Sequence, residues 1–154
     1  MKRVLIAYFS ATGTTEKMAE YIAEGIRISG HEAVVRKISA IKTPDELTEY
    51  DGYLFGSPTY SLDIPEPMKK FLLAVEKAAP EGRLSGAFGS YTHEVAYKHD
   101  DYAPAIIFNT LRDVGKMEPF ELGPLTLVEN IVNTGEGMKA CHDYGRVFGE
   151  KLGF

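Results

Sequence analysis

Residues 4–16, Val4-Leu5-Ile6-Ala7-Tyr8-Phe9-Ser10-Ala11-Thr12-Gly13-Thr14-Thr15-Glu16, decide how the rest of the chain is read. The run from Val4 to Tyr8 has the unbroken apolar character of a strand buried on both faces. From Thr14 onward, Met18, Ala19, Ile22, Ala23 and Ile26 recur at helical spacing. Between the two lies one turn carrying the hydroxyls of Ser10, Thr12, Thr14 and Thr15, one glycine, and no lysine or arginine. The N–H groups of a helix's first turn have no partner inside the helix. They point outward, and the helix dipole places about half a positive charge there. The hydroxyls add further donors. Such a turn can hold a phosphate group without a cationic side chain. The same residue types also suit an ordinary capped helix start, but the order strand, hydroxyl-rich turn, helix favours the phosphate. Rival loops fit worse. The triphosphate loop ends in Gly-Lys-Ser/Thr, which is absent, and of the three spaced glycines in the dinucleotide fingerprint only Gly13 is present.

The chain has 154 residues with 44% hydrophobic content, which suits one domain with a full-sized core over residues 1–154. Its single cysteine, Cys141, forbids an internal disulfide and makes a reducing cytoplasm the default expectation. A strand is expected from about residue 3, which leaves no room for a signal peptide. No apolar run approaches the roughly 20 residues that span a bilayer. A net charge of −5 argues against nucleic acid as a partner and favours a basic protein. Nine tyrosines and eight phenylalanines are available to stack on a flat ring.

Strand-like and helix-like segments alternate. Residues 33–38 read as a second strand. Thr43-Pro44-Asp45-Glu46 reads as the cap and first turn of a short helix ending near Tyr50. Tyr53-Leu54-Phe55 forms a third strand between Gly52 and Gly56. Pro65 or Pro67 opens a helix whose apolar face is Met68, Phe71, Leu72 and Val75. Ala87 to Tyr91 is a fourth strand. A helix over about 102–114 follows, then a fifth strand within 117–122. Gly123-Pro124 interrupts that strand, and residues 125–132 read either as a short extra strand or as a returning loop. The last helix covers about 137–152, with Cys141 on its buried side. This alternation predicts an α/β fold of parallel strands joined by right-handed helical crossovers.

In such sheets ligands bind beyond the carboxyl ends of the strands, where the strand order reverses. Three turns should converge there: residues 10–15, 57–63 and 90–97. The second, Ser57-Pro58-Thr59-Tyr60-Ser61-Leu62-Asp63, carries an exposed aromatic. The third, Ser90-Tyr91-Thr92-His93-Glu94-Val95-Ala96-Tyr97, carries more flat rings. A phosphate cradle beside two aromatic loops describes a site for a phosphorylated flat heterocycle.

On these residues the chain resembles a flavodoxin. The pattern Ser10-x-Thr12-Gly13-x-Thr15 after a hydrophobic strand is specific in that place. Phe55-Gly56-Ser57-Pro58-Thr59-Tyr60, followed by Pro65 to Leu72, looks like the family's second flavin loop and helix. Together with Ala87-Phe88-Gly89-Ser90-Tyr91 it is most similar to the flavodoxin domain of flavodiiron proteins. The resemblance implies a flavodoxin-like three-layer sandwich, with a five-stranded parallel sheet of order 2-1-3-4-5 and helices on both faces. It implies one noncovalent FMN. Ser10, Ala11, Thr12, Gly13, Thr14 and Thr15 would hold the phosphate. Ser57, Pro58, Thr59, Tyr60 and Ser61 would lie along one side of the ring. Ser90, Tyr91, Thr92, His93 and Tyr97 would border its pyrimidine edge or other face. The implied function is low-potential electron transfer between transient, basic redox partner proteins, by a monomer or weak dimer, with no catalytic residue of its own.

Two departures stand out. Many flavodoxins place a glycine after the second-loop aromatic, where a peptide flip accepts a hydrogen bond from reduced flavin. Here that position is Ser61, which resists positive φ by roughly 1 kcal/mol or more and should disfavour the half-reduced flavin. The third loop lacks the usual acidic pattern, and either His93 or Tyr97 could supply the stacking ring. His93, Glu94, His99, Asp100 and Asp101 match no metal-ligand spacing. Asp45, Glu46, Glu49 and Asp51 read as a solvated acidic face or a partner-docking patch. The alternative function is an NAD(P)H-dependent quinone or nitro-compound reductase on the same fold. A domain that has lost its flavin is a further alternative. A phosphorylation-switched signalling domain is excluded, because Phe9-Ser10 and Ser57-Pro58 stand where it needs acids.

Overall fold

The computed structural model describes residues 1–10, 12–59, 64–78, 80–92 and 102–153. In chain order the elements are β1 (Arg3–Tyr8), α1 (Thr14–Ile28), β2 (Glu32–Lys37), β3 (Gly52–Gly56), α2 (Glu66–Ala78) and β4 (Leu84–Tyr91), followed by α3 (Ala103–Asp113), β5 (Glu118–Pro119), β6 (Leu125–Val128) and α4 (Gly135–Leu152). Every strand pairing is parallel. The order is β2-β1-β3-β4-β5, with β6 also on β4, as the resemblance implied. The central strands β3 and β4 are buried along almost their whole length, while the edge strand β2 exposes both ends. Unbroken apolar runs belong in strands covered on both faces, which is why Tyr53-Leu54-Phe55 sits at the middle of the sheet.

Side chains alternate between the faces. Phe55 points towards α2 and meets Phe71 edge-on at 5.1 Å between centroids. The opposite face is covered by α1 and α4. These helices cross so closely that a Cβ on Gly25 would run into the His142 carbonyl, and one on Gly145 into the Ile22 carbonyl. Only glycine permits that approach. Cys141 is fully buried, as its place on the helix implied, and burial pushes its thiol up to about 12.

The structure differs from expectation in two places. The segment after Thr43 forms a 3-10 turn over Pro44–Leu47, not a helix reaching Tyr50. Glu46 closes a capping box with Thr43 and also pairs with Arg36 at 3.3 Å. Asp51 accepts the Arg3 N–H at 2.9 Å, and Glu49 lies 3.9 Å from the Arg3 guanidinium. Three members of the acidic face thus also make contacts within the fold while Asp45 and Glu49 stay exposed.

The fifth strand is split. After β5, Phe120 donates its N–H to Ser85 at 2.9 Å, and the chain then turns, with Gly123 N–H on the Phe120 carbonyl at 2.9 Å. The chain rejoins β4 as β6, so residues 125–128 are a strand and not a loop. The break leaves carbonyls without a ladder partner, and Tyr144 of α4 serves them. Its phenol donates to the Gly123 carbonyl at 2.6 Å, and the Ala87 carbonyl lies at 3.2 Å. Phe120 packs edge-on against the Tyr144 and Phe148 rings at 5.2 and 5.0 Å. Burial holds the Tyr144 phenol well above the usual tyrosine range, so it remains a donor. Replacing Tyr144 by Phe keeps the ring and removes the donor, and should cost about 1–3 kcal/mol of stability. Urea denaturation checks this, and an unchanged midpoint would show that the phenol does not hold the break together.

Candidate cofactor-binding site

The turn after β1 is shaped by its backbone. The first helical bond of α1 runs from Lys17 N–H to the Gly13 carbonyl at 3.1 Å. The amides of Thr14, Thr15 and Glu16 precede it and have no partner inside the helix. Gly13 has φ +91°, a left-handed conformation natural to glycine, and donates its N–H to Ser10 Oγ at 3.0 Å. Tyr8, the last residue of β1, donates its phenol to Glu16 Oε1 at 2.6 Å and so ties the strand to the helix's first turn. Burial and then the Glu16 carboxylate hold that phenol well above its ordinary range.

The structure brings the described parts of the three turns to one edge of the sheet. Phe9 N–H reaches the Gly56 carbonyl at 3.0 Å, Ser57 N–H the Phe88 carbonyl at 3.1 Å, and Thr59 N–H the Ser90 carbonyl at 3.0 Å. Thr15, 1% exposed, has its hydroxyl 3.4 Å from that of Ser90, itself 4% exposed. This contact joins the first turn to the third. Tyr91 stands beside Tyr102, ring centroids 4.7 Å apart, and Thr92 is exposed.

Some predicted contact residues have structural duties. Ser57 is fully buried, and its hydroxyl donates to the Pro58 carbonyl at 2.9 Å. Thr59 Oγ1 accepts the Ala103 N–H at 3.0 Å, capping α3, whose own N-cap residue makes no side-chain cap. Ser57 and Thr59 thus also help to hold this edge in shape. Ala11, Tyr60, Ser61, His93 and Tyr97 lie outside the described residues, as do Glu94, His99, Asp100 and Asp101.

One residue at the site went unnoticed in the sequence. Glu129, in the 3-10 turn after β6, places its carboxylate on the first turn. Oε1 accepts the Thr14 hydroxyl at 2.9 Å and the Thr12 hydroxyl at 3.3 Å. Carboxylate and phosphate oxygens are both anionic acceptors, so these bonds show that the turn offers donors to an anion, as the FMN phosphate requires. They also put a negative charge beside the place a phosphate would take. The only signal in the sequence was the ambiguous stretch 125–132.

The flavodoxin family model matches residues 6–115. The chain belongs to the flavodoxin family. Its cofactor is FMN, which the neutral donors of the first turn fit. Over 119 residues the chain is 36% identical to an NAD(P)H dehydrogenase (quinone) of Acidithiobacillus ferrooxidans, covering 64% of this chain and 60% of that one. Over 154 residues it is 32% identical to putative diflavin flavoprotein A 5 of a Nostoc species, covering 97% of this chain and 25% of that one. The chain thus spans about three fifths of the former relative's length and a quarter of the latter's. A solved flavodoxin from the domain Archaea superposes with a TM-score of 0.85 at 27% identity, covering 99% of each chain.

Proposed function

We propose that this flavodoxin carries electrons between proteins, with FMN seated at the carboxyl edge of the sheet. The observation that carries the reading is the first turn of α1, where the amides of Thr14, Thr15 and Glu16 have no partner inside the helix, the Thr12 and Thr14 hydroxyls already donate to a carboxylate, and no lysine or arginine lies between Ser10 and Thr15. FMN supplies the redox chemistry when bound. The chain's part is to bind, orient and shield. The amides of Thr14, Thr15 and Glu16 and the hydroxyl of Ser10 hold the phosphate. Ser90 and Tyr91 border the ring, with Pro58 opposite. The resemblance adds Ala11, Gly13, Tyr60, Ser61, Thr92, His93 and Tyr97 to this set. No described residue is needed as a general acid, base or nucleophile. The partners are redox proteins met transiently, the chain acts as a monomer or weak dimer, and the compartment is the cytoplasm. Among the described residues no helix is long and apolar enough to cross a membrane.

A second reading, an NAD(P)H-dependent quinone reductase, is favoured by the name of the Acidithiobacillus relative. It needs a further surface over the flavin for the second substrate. Stopped-flow mixing with NADPH separates the two, since fast direct flavin reduction supports the enzyme and its absence supports the carrier.

The phosphate turn can be tested by itself. Protein stripped of flavin should quench FMN fluorescence and bind riboflavin at least about a hundredfold more weakly, since charge-assisted hydrogen bonds contribute about 1.5–3 kcal/mol each. Equal affinities would remove the turn from binding. Glu129→Gln keeps the side chain's size and removes its charge. It should tighten FMN by about three- to tenfold, the scale of one exposed charge pair, and leave riboflavin unchanged. Weaker FMN binding would instead make Glu129 a support for the hydroxyls.

A further inference from the structure

A cavity of about 610 Å³ opens at the carboxyl ends of β1 and β2, beneath the first turns of α2. It lies on the β2 side of the sheet. The turns at 57–59 and 90–92 follow β3 and β4, on the other side of β1. Among the described residues of the phosphate turn, the cavity touches Ser10 alone. Its size falls in the range of about 300–1,000 Å³ found for small-molecule sites.

The lining has two parts. Phe9, Ile38, Ile41 and Phe71 make it mostly apolar, and Lys37 and Lys70 add positive charge. The helical contribution comes from α2, where Pro67, Lys70, Phe71 and Ala74 follow one another at helical spacing along one face. Arg3, Lys17, Arg36, Arg83, Arg112, Lys139 and Arg146 each have a carboxylate within 4 Å. Lys37 and Lys70 have no carboxylate partner among the described residues, although the chain carries a net charge of −5. Both are exposed. Two uncompensated cations around an apolar cavity favour a ligand with an apolar body and an acidic group. The Phe9 and Phe71 rings favour a flat body that can meet them face or edge.

We propose that this cavity is a second ligand site, separate from the flavin, and that it takes an aromatic carboxylate. An apolar ring enters among Phe9, Ile38, Ile41 and Phe71, and the carboxylate stays at the lysines, where it keeps part of its hydration. The site does not depend on the flavin reading, because among the described residues none of its apolar walls belongs to the phosphate turn.

The test uses the full chain saturated with FMN and two probes of equal shape, 2-naphthoate and the neutral 2-naphthamide. Calorimetric titration should show one saturable naphthoate site. Amide resonances of residues 37–41 and 67–74 should move, while those of 12–16 stay in place. Lys37→Gln with Lys70→Gln should weaken naphthoate by about fivefold or more and leave naphthamide within about twofold. Added salt should weaken naphthoate alone. Ala74→Leu, which fills the cavity, should reduce both probes. The glutamine pair changes only exposed positions, so it remains informative if the filled variant folds poorly. Absence of saturable binding would overturn the proposal. So would equal naphthoate affinity in the glutamine pair, or movement of the 12–16 amides on naphthoate binding, which would make the cavity part of the flavin site.

Discussion

The amides of Thr14, Thr15 and Glu16 cannot be satisfied inside α1, and much of the molecule's organisation follows from that. A strand entering a helix through one glycine turn leaves these groups facing outward with the helix dipole behind them. In most sequences a Ser, Thr, Asp or Asn at the cap would absorb one of them. Here the cap is Gly13, which makes no side-chain cap, and the neighbouring Thr12 and Thr14 hydroxyls act as donors. The turn is held in shape from outside by the Tyr8–Glu16 bond and by the hydroxyl contact of Thr15 with Ser90. The amides of Thr14, Thr15 and Glu16 are thereby left for an anion.

Neutral donors have a consequence for an electron carrier. A cation beside the phosphate would stabilise added negative charge on the cofactor and attract acidic proteins over the surrounding surface. Amides and hydroxyls grip a dianion through short-range hydrogen bonds and leave the chain's acidic balance intact. Glu129 sharpens this arrangement. Each of the Thr12 and Thr14 hydroxyls has one proton, which can serve the carboxylate or a phosphate but not both. The charge of Glu129 and the affinity of the turn are therefore linked.

Features encoded by neighbouring residues were legible in the sequence. The parallel α/β arrangement followed from alternation, the strand order from the resemblance to flavodoxins, and Cys141 was placed in the core by its helical position. What escaped depended on contacts between distant residues. Gly123-Pro124 marked a break in the fifth strand, but the partner that makes the break tolerable is Tyr144, on another element. Glu129 reaches Thr14 across 115 positions, and no local pattern announces it. Glu46, Glu49 and Asp51 looked like a free acidic surface because Arg36, Arg3 and Arg83 lie elsewhere in the chain. No local pattern announces that the hydroxyl of Thr59 caps α3, which begins well beyond it.

The central claim is that uncharged groups at the start of α1 enclose a phosphate dianion. The ³¹P resonance of FMN bound to the protein tests it most directly. A free phosphate monoester takes up its second proton near pH 6. Gripped by amides and hydroxyls away from water, the bound phosphate should keep one chemical shift from about pH 5 to about pH 8, because its donors favour the dianion. A bound resonance that titrates near pH 6, like that of the free compound, would contradict the account.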